Sequence, residues 1–190
     1  IHYLANGYYP QQITPFRNIK KIQSATYLDI SNNKIIERKY WSIKDQYNPK
    51  NRCKTELIKD ELISHIKKSF NSDVPISLSL SAGLDSTLLA SVAKENDIDI
   101  SCFSLGYENK KGLDERAESK KFAKTKNLKF KSIEIEENID YNSFKDFIGS
   151  QVTPIADISG YAQYKISQKI AKNNYKVLIS GVGGDEIFFG

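Results

Sequence analysis

The sequence predicts an α/β protein, a doubly wound parallel sheet preceded by a β-rich segment. Three observations carry this expectation. From residue 55 onward, short apolar runs alternate with stretches of helical period, the pattern of a parallel sheet covered by helices. Two segments rich in glycine and serine, Ser81–Ser86 and Ser180–Glu186, each follow an apolar run and precede a helical one. The first fifty residues instead read as strand and turn. The organisation expected is therefore two parts, 1–50 and 51–190.

The elements follow in order. Tyr27–Ile30 and Lys34–Tyr40 flank Asn32-Asn33, a hairpin signal. Residues 41–53 read as a linker. Thr55 can cap a helix whose Leu57, Ile58, Leu62, Ile66 and Phe70 share one face, and the run from Asn71 to Pro75 ends it. Ile76–Leu80 is a short apolar strand, followed by a helix over Ser86–Asn96 with Leu88, Leu89, Val92 and Ala93 inward. Ile100–Leu105 and Phe130–Ile135 are further strands, separated by a helix over Asp114–Asn127. Tyr141–Gly149 and Ser159–Asn173 are helical, Val177–Ser180 is the fourth strand, and a helix opens at Asp185.

Composition narrows the class. The chain has 190 residues, 39% apolar and 11% aromatic, enough for a packed core. No apolar run approaches the roughly 20 residues that span a bilayer, so no membrane role is expected. The net charge is +5, and the lysines are scattered rather than gathered with aromatics into a stripe, which argues against a nucleic-acid partner. Cys53 and Cys102 lack zinc-ligand spacing and are too few for a disulfide framework; a reduced, cytoplasmic setting is expected. The chain has no methionine and stops just after a helix-opening motif, so a piece of something longer is expected.

The strongest chemical signal is Ser81-Ala82-Gly83-Leu84-Asp85-Ser86 between strand and helix. Such a turn aims backbone N–H groups outward, and the helix end adds partial positive charge. Ser81 and Ser86 add hydroxyls, and Gly83 permits close approach and unusual backbone angles. Asp85 would repel a bare phosphate, so a bridging Mg²⁺ is implied. Ordinary capping by Ser and Asp is the competing explanation. Ser180-Gly181-Val182-Gly183-Gly184-Asp185-Glu186 repeats the setting with three glycines, the alternative being a plain glycine turn with first-turn acids. If the strands before the two loops are neighbours at a switch point, Asp85 and Asp185 can flank one polyphosphate.

These loops, with Ser72-Asp73-Val74-Pro75, Phe103–Tyr107, Asp114-Glu115 with Ala117, and Leu178–Phe188, resemble the glutamine-dependent asparagine synthetase family, among the N-type ATP pyrophosphatases. The resemblance covers residues 55–190. More weakly, Gly7–Pro10, Thr14–Phe16 and the hairpin up to Tyr40-Trp41 resemble the tail of that family's glutaminase domain. The resemblance implies an adenine nucleotide α-hydrolase-like fold. It implies an ATP-dependent ligase that activates a carboxylate as acyl-AMP, releases pyrophosphate and transfers ammonia from glutamine. Ser81, Gly83, Leu84, Asp85 and Ser86 match the pyrophosphate loop, and Asp85 and Asp185 the Mg²⁺-binding aspartates. Backbone at Ser79, Leu105, Ser180 and Gly181 matches the adenosine site. ATP and Mg²⁺ are thus the implied cofactors, a small-molecule carboxylate and glutamine the implied partners, and a homodimer is left open.

Three departures bear on this. Ala82 replaces the first glycine of the family's Ser-Gly-Gly loop, a mild change if its φ is negative. Val182 stands where many asparagine synthetases carry an acid, which puts aspartate as acceptor in doubt. A sugar uronic acid is one alternative acceptor, and a non-catalytic nucleotide-binding protein is another reading. The family's nucleophilic cysteine and its later phosphate-contacting lysines are not matched, so the 190 residues alone are expected to be inactive. Asp157 and Ser159, after Thr153-Pro154, match a segment lining the acceptor pocket, with a helix cap at Ser159 as the alternative. His2 and His65 lack metal-ligand partners. Glu134, Glu136 and Glu137 read as a solvated strand end, and Trp41 and the tyrosines as packing.

Overall fold

The computed structural model describes residues 1–47, 54–107, 114–135 and 140–188. Cys53, Glu136 and Glu137 lie outside the described residues. The chain divides into two compact units, Ile1–Cys53 with Asn142–Ile158, and Lys54–Tyr141 with Ser159–Gly190.

The first unit holds α1 (His2–Asn6), β1 (Thr26–Ser31), β2 (Lys34–Lys39) and α2 (Ile43–Gln46), with α6 (Tyr141–Ser150) contributed from later in the chain. β1 and β2 form the expected hairpin, with Ser31 opposite Lys34. Asn32 and Asn33 have φ of 49° and 58°, the left-handed pair that a two-residue hairpin turn needs and asparagine tolerates. The Ala156 N–H donates to the Gly7 carbonyl at 2.7 Å and ties the later segment to the N-terminal one. The segment read as a linker contains the short helix α2, and Trp41 is 50% exposed, so it is not a core residue.

The second unit is the doubly wound sheet. It comprises α3 (Thr55–Ser69), β3 (Ile76–Ser79), α4 (Leu84–Glu95), β4 (Ile100–Tyr107), α5 (Arg116–Thr125), β5 (Lys129–Ile135), α7 (Ser159–Lys172), β6 (Val177–Ile179) and α8 (Gly184–Phe188). The sheet order is β5-β4-β3-β6 and every pair is parallel. Strand alternation splits the core between two faces. Ile76, Leu78, Leu80, Ile100 and Cys102 pack with Ile66 and Phe70 near the end of α3, Ala90, Val92 and Ala93 of α4, and Ala123 of α5. Phe103, Leu105, Ile133, Ile135 and Leu178 pack with Ile166 and Ile170 of α7 on the other.

The helix ends differ from expectation. Thr55 is not a cap: Lys54 holds that position and no side chain caps α3. Leu57 and Ile58 stay exposed, so burial on α3 is confined to its C-terminal half. α4 begins at Leu84, two residues early, which brings Asp85 into its first turn. Asp114 precedes α5 and accepts from the Arg116 backbone N–H at 3.0 Å.

Arg116 also pairs with Asp114 at 2.7 Å and with Glu134 at 3.1 Å, so Glu134 is not merely a solvated strand end. The Arg116 hydrogen bonds hold the Asp114 carboxyl below its usual range. The guanidinium lies over Gly106, where a Cβ would collide with it.

Candidate functional site

The site forms where strand order reverses. β3 continues to β4 on one side and pairs with β6 on the other, with Ile76 opposite Val177 and Leu78 opposite Ile179. The adjacency expected of two strands about 100 residues apart in sequence is thus met. Each strand runs into a loop at its C-terminal end, and ligands of doubly wound sheets bind there.

The first loop is pinned at its root. The Leu80 N–H donates to the Phe103 carbonyl at 2.7 Å, and the buried Ser119 hydroxyl donates to the Leu80 carbonyl at 3.0 Å. Ser86 braces the loop from within. Its hydroxyl is buried, accepts from the Ser81 N–H at 3.2 Å, donates to the Gly83 carbonyl at 3.2 Å and lies 3.1 Å from the Ser81 hydroxyl. The Ser86 hydroxyl is therefore engaged in shaping the turn, unlike the free ligand donor the sequence suggested.

The backbone strain also sits elsewhere than expected. Gly83 has φ −71° and ψ 166°, angles open to any residue. Ala82 instead has φ +59°, in the left-handed region that costs an L-residue roughly 1–2 kcal/mol. Its substitution for glycine is therefore not mild. Gly83 caps α4 without a side-chain hydrogen bond, and the first N–H groups of the helix have no intrahelical acceptor.

The second loop closes against the first. Gly183 has φ +103°, which glycine alone adopts readily. A Cβ at Gly181 would sit 2.8 Å from the Asp85 Cβ, and one at Gly184 would run into the Asp85 carboxylate. The glycines thus give Asp85 its room.

Both loops border one open cleft of about 560 Å³, lined from the first by Ser81, Gly83, Leu84, Asp85 and Ser86, and from the second by Ser180, Gly181, Val182 and Asp185. Ser79 lines it too; Leu105 does not, and packs in the core under α7. Gln163 on α7 also borders the cleft. Its place among the buried Tyr161, Ile166 and Ile170 gave no sign of it in the sequence, since only the packing of α7 brings it there. Val182 is 77% exposed.

The donor set is limited. The cleft offers two carboxylates, and among the described residues no three His, Cys, Asp or Glu side chains gather to hold a metal. Two carboxylates suffice for Mg²⁺ when substrate phosphates and water complete its octahedron. His65 meets Glu61 at 3.6 Å, both side chains exposed on α3. No helix among the described residues is long and apolar enough to cross a membrane.

Known proteins share this sequence pattern. The family model described as asparagine synthase matches residues 57–190. A Methanocaldococcus jannaschii protein provisionally named glutamine-hydrolyzing asparagine synthetase 2 is 33% identical over 99% of this chain and 37% of its own length. Asparagine synthetase [glutamine-hydrolyzing] 1 of Bacillus subtilis is 27% identical over 99% of this chain and 30% of its own. Amidase chyE of Penicillium rubens is 23% identical over 93% and 29%. The chain thus spans about a third of the length of these relatives. The family match takes in all four strands of the parallel sheet and both loops of the cleft, and the chain belongs to the asparagine synthase family.

Proposed function

We propose that this chain is the nucleotide-binding part of an ATP-dependent amide-forming ligase. The observation that carries the reading is the meeting of the two strand-to-helix loops, with Asp85 seated against Gly181 and Gly184. In this reading an acceptor carboxylate oxygen attacks the α-phosphorus of ATP, the bond to the β-phosphate oxygen breaks, and pyrophosphate leaves. Ammonia derived from glutamine then attacks the acyl carbon and expels AMP. The free N–H groups at the start of α4 and the Ser81 hydroxyl receive the charge that develops on pyrophosphate. Ser79, Ser180 and Gly181 border the adenosine, with Leu105 contributing through its backbone.

Among the described residues, no Lys, Arg or His lines the cleft. A polyphosphate beside Asp85 and Asp185 therefore needs a divalent cation to offset like charge. Asp85 and Asp185 would hold Mg²⁺, which neutralises the polyphosphate when bound. Residues 1–50 are proposed as the tail of a glutaminase domain that supplies the ammonia.

A second reading of the acceptor is favoured by Val182, whose exposed apolar side chain can neither orient an ammonium group nor move a proton. A carboxylate other than aspartate, such as a uronic acid, fits that wall. Two relatives carry the name amidase rather than asparagine synthetase.

Isothermal titration with ATP tests the nucleotide reading. Binding should require Mg²⁺, and Asp85→Asn should weaken it at least about tenfold, equivalent to about 1.4 kcal/mol, with the circular dichroism spectrum unchanged. Equal affinity of wild type and variant would remove Asp85 from the metal role. Intact Mg·ATP binding with no pyrophosphate release under any acceptor would favour a non-catalytic nucleotide-binding protein.

A further inference from the structure

Among the described residues that line the cleft, Gln163 lies on neither loop nor on the β3 strand end. It projects from the exposed side of α7, three residues before the buried Ile166. Its backbone carbonyl accepts the Ser167 hydroxyl at 2.8 Å, while its carboxamide has no hydrogen-bond partner among the described residues. The same cleft carries Val182, exposed and apolar, and its charged lining groups are Asp85 and Asp185.

We propose that Gln163 is a specificity-determining residue of this cleft. Its carboxamide hydrogen-bonds the part of the acceptor beyond the reacting carboxylate, and it selects acceptors in which that part is neutral and polar over those bearing a second carboxylate. The proposal rests on the ligase reading above.

The chemistry follows from the lining. A carboxamide donates and accepts without charge, so it pairs equally with a hydroxyl or an amide. A second acceptor carboxylate entering here finds no cation among the described lining residues. It also meets the field of two aspartates and a polyphosphate that together consume the positive charge of any divalent ion. Moving a charge from water into such a site without a partner is unfavourable, whereas a hydroxyl exchanges one hydrogen bond for another. Val182 contributes an apolar surface but reads no polar group. Among the described lining side chains not assigned above to the nucleotide or metal, Gln163 is the one that can read a neutral polar group.

The test uses the intact protein with Mg·ATP and ammonia, following acceptor-dependent AMP release. One acceptor set contains hydroxyl- or amide-bearing monocarboxylates, uronic acids included; the other contains dicarboxylic acids, aspartate included. Wild type should favour the first set. Gln163→Leu should narrow that preference roughly threefold to tenfold, through KM rather than kcat, with Mg·ATP affinity by calorimetry unchanged. Gln163→Lys, which adds the missing cation, should raise kcat/KM for the dicarboxylates. A wild-type preference for dicarboxylates, or an acceptor ratio unmoved in both variants, overturns the proposal. So does a loss of Mg·ATP affinity in Gln163→Leu without a change in acceptor ratio, which would place the side chain on the nucleotide. A wild-type protein that binds no Mg·ATP instead overturns the ligase reading, and this proposal with it.

Discussion

Ala82 shows how one residue can carry the strain of a loop. With φ at +59°, the side chain is held where its Cβ crowds the following carbonyl. Ala82→Gly should stabilise the fold by about 1 kcal/mol, less whatever the freer unfolded glycine recovers, read as a higher urea midpoint at constant slope. A lower midpoint would mean that the alanine is not strained. Cys102 is the second informative residue. It is fully buried in the sheet, and burial pushes its thiol from the ordinary 9.0 up to about 12. The neutral thiol is favoured in the folded state, so its contribution to stability is complete below pH 9 and declines as pH rises from there toward 12. Thiol reagents at pH 8 should leave Cys102 unmodified in the folded protein and label it in denaturant; rapid native labelling would contradict its burial.

At the scale of elements, the loop after β3 depends on a helix it does not precede. The Ser119 hydroxyl of α5 donates to the Leu80 carbonyl, in a site with no exposed surface. Ser119→Ala would leave that buried carbonyl short of a donor, at a cost of about 1–3 kcal/mol. The expected result is a lower denaturation midpoint together with weaker Mg·ATP binding, because the loop root is loosened. Weaker binding without lost stability would point to a local contact instead. Arg116 links elements in a similar way, joining the approach to α5 to the end of β5 across Gly106.

At the scale of the molecule, the sheet and its cleft belong to one compact unit, Lys54–Tyr141 with Ser159–Gly190. A ligand held by both loops stabilises the whole unit by mass action. Mg·ATP at about a hundred times its dissociation constant should add about 2.7 kcal/mol, seen as a raised melting temperature that chelation of Mg²⁺ reverses. A shift that persists without Mg²⁺ would argue against a metal-bridged polyphosphate. Residues 142–158 group with the first unit, although the alternation of strands and helices suggested one continuous second part. That grouping is made by long-range contact, such as Ala156 with Gly7, which no local pattern announces.

The order of strands and helices was legible in the sequence because period and turn chemistry are local. Asn32-Asn33 demanded a hairpin, and apolar runs of four to eight residues between helical stretches demanded a parallel sheet. The two loops were legible for the same reason, since strand, glycine-bearing turn and helix are consecutive. Backbone angles were not: Ala82, which carries a Cβ, takes the left-handed conformation and Gly83, which carries none, the extended one, because the pinned Leu80 and the Ser86 brace dictate the path between them. Nor was it legible that Ser86 would turn inward, that Leu105 would face the core under α7, or that Gln163 would reach the cleft. Those outcomes depend on which elements pack together. The sequence determined the elements and their chemistry, and only the tertiary structure decided which of those groups share a site, because sharing is set by contacts between residues far apart in the chain.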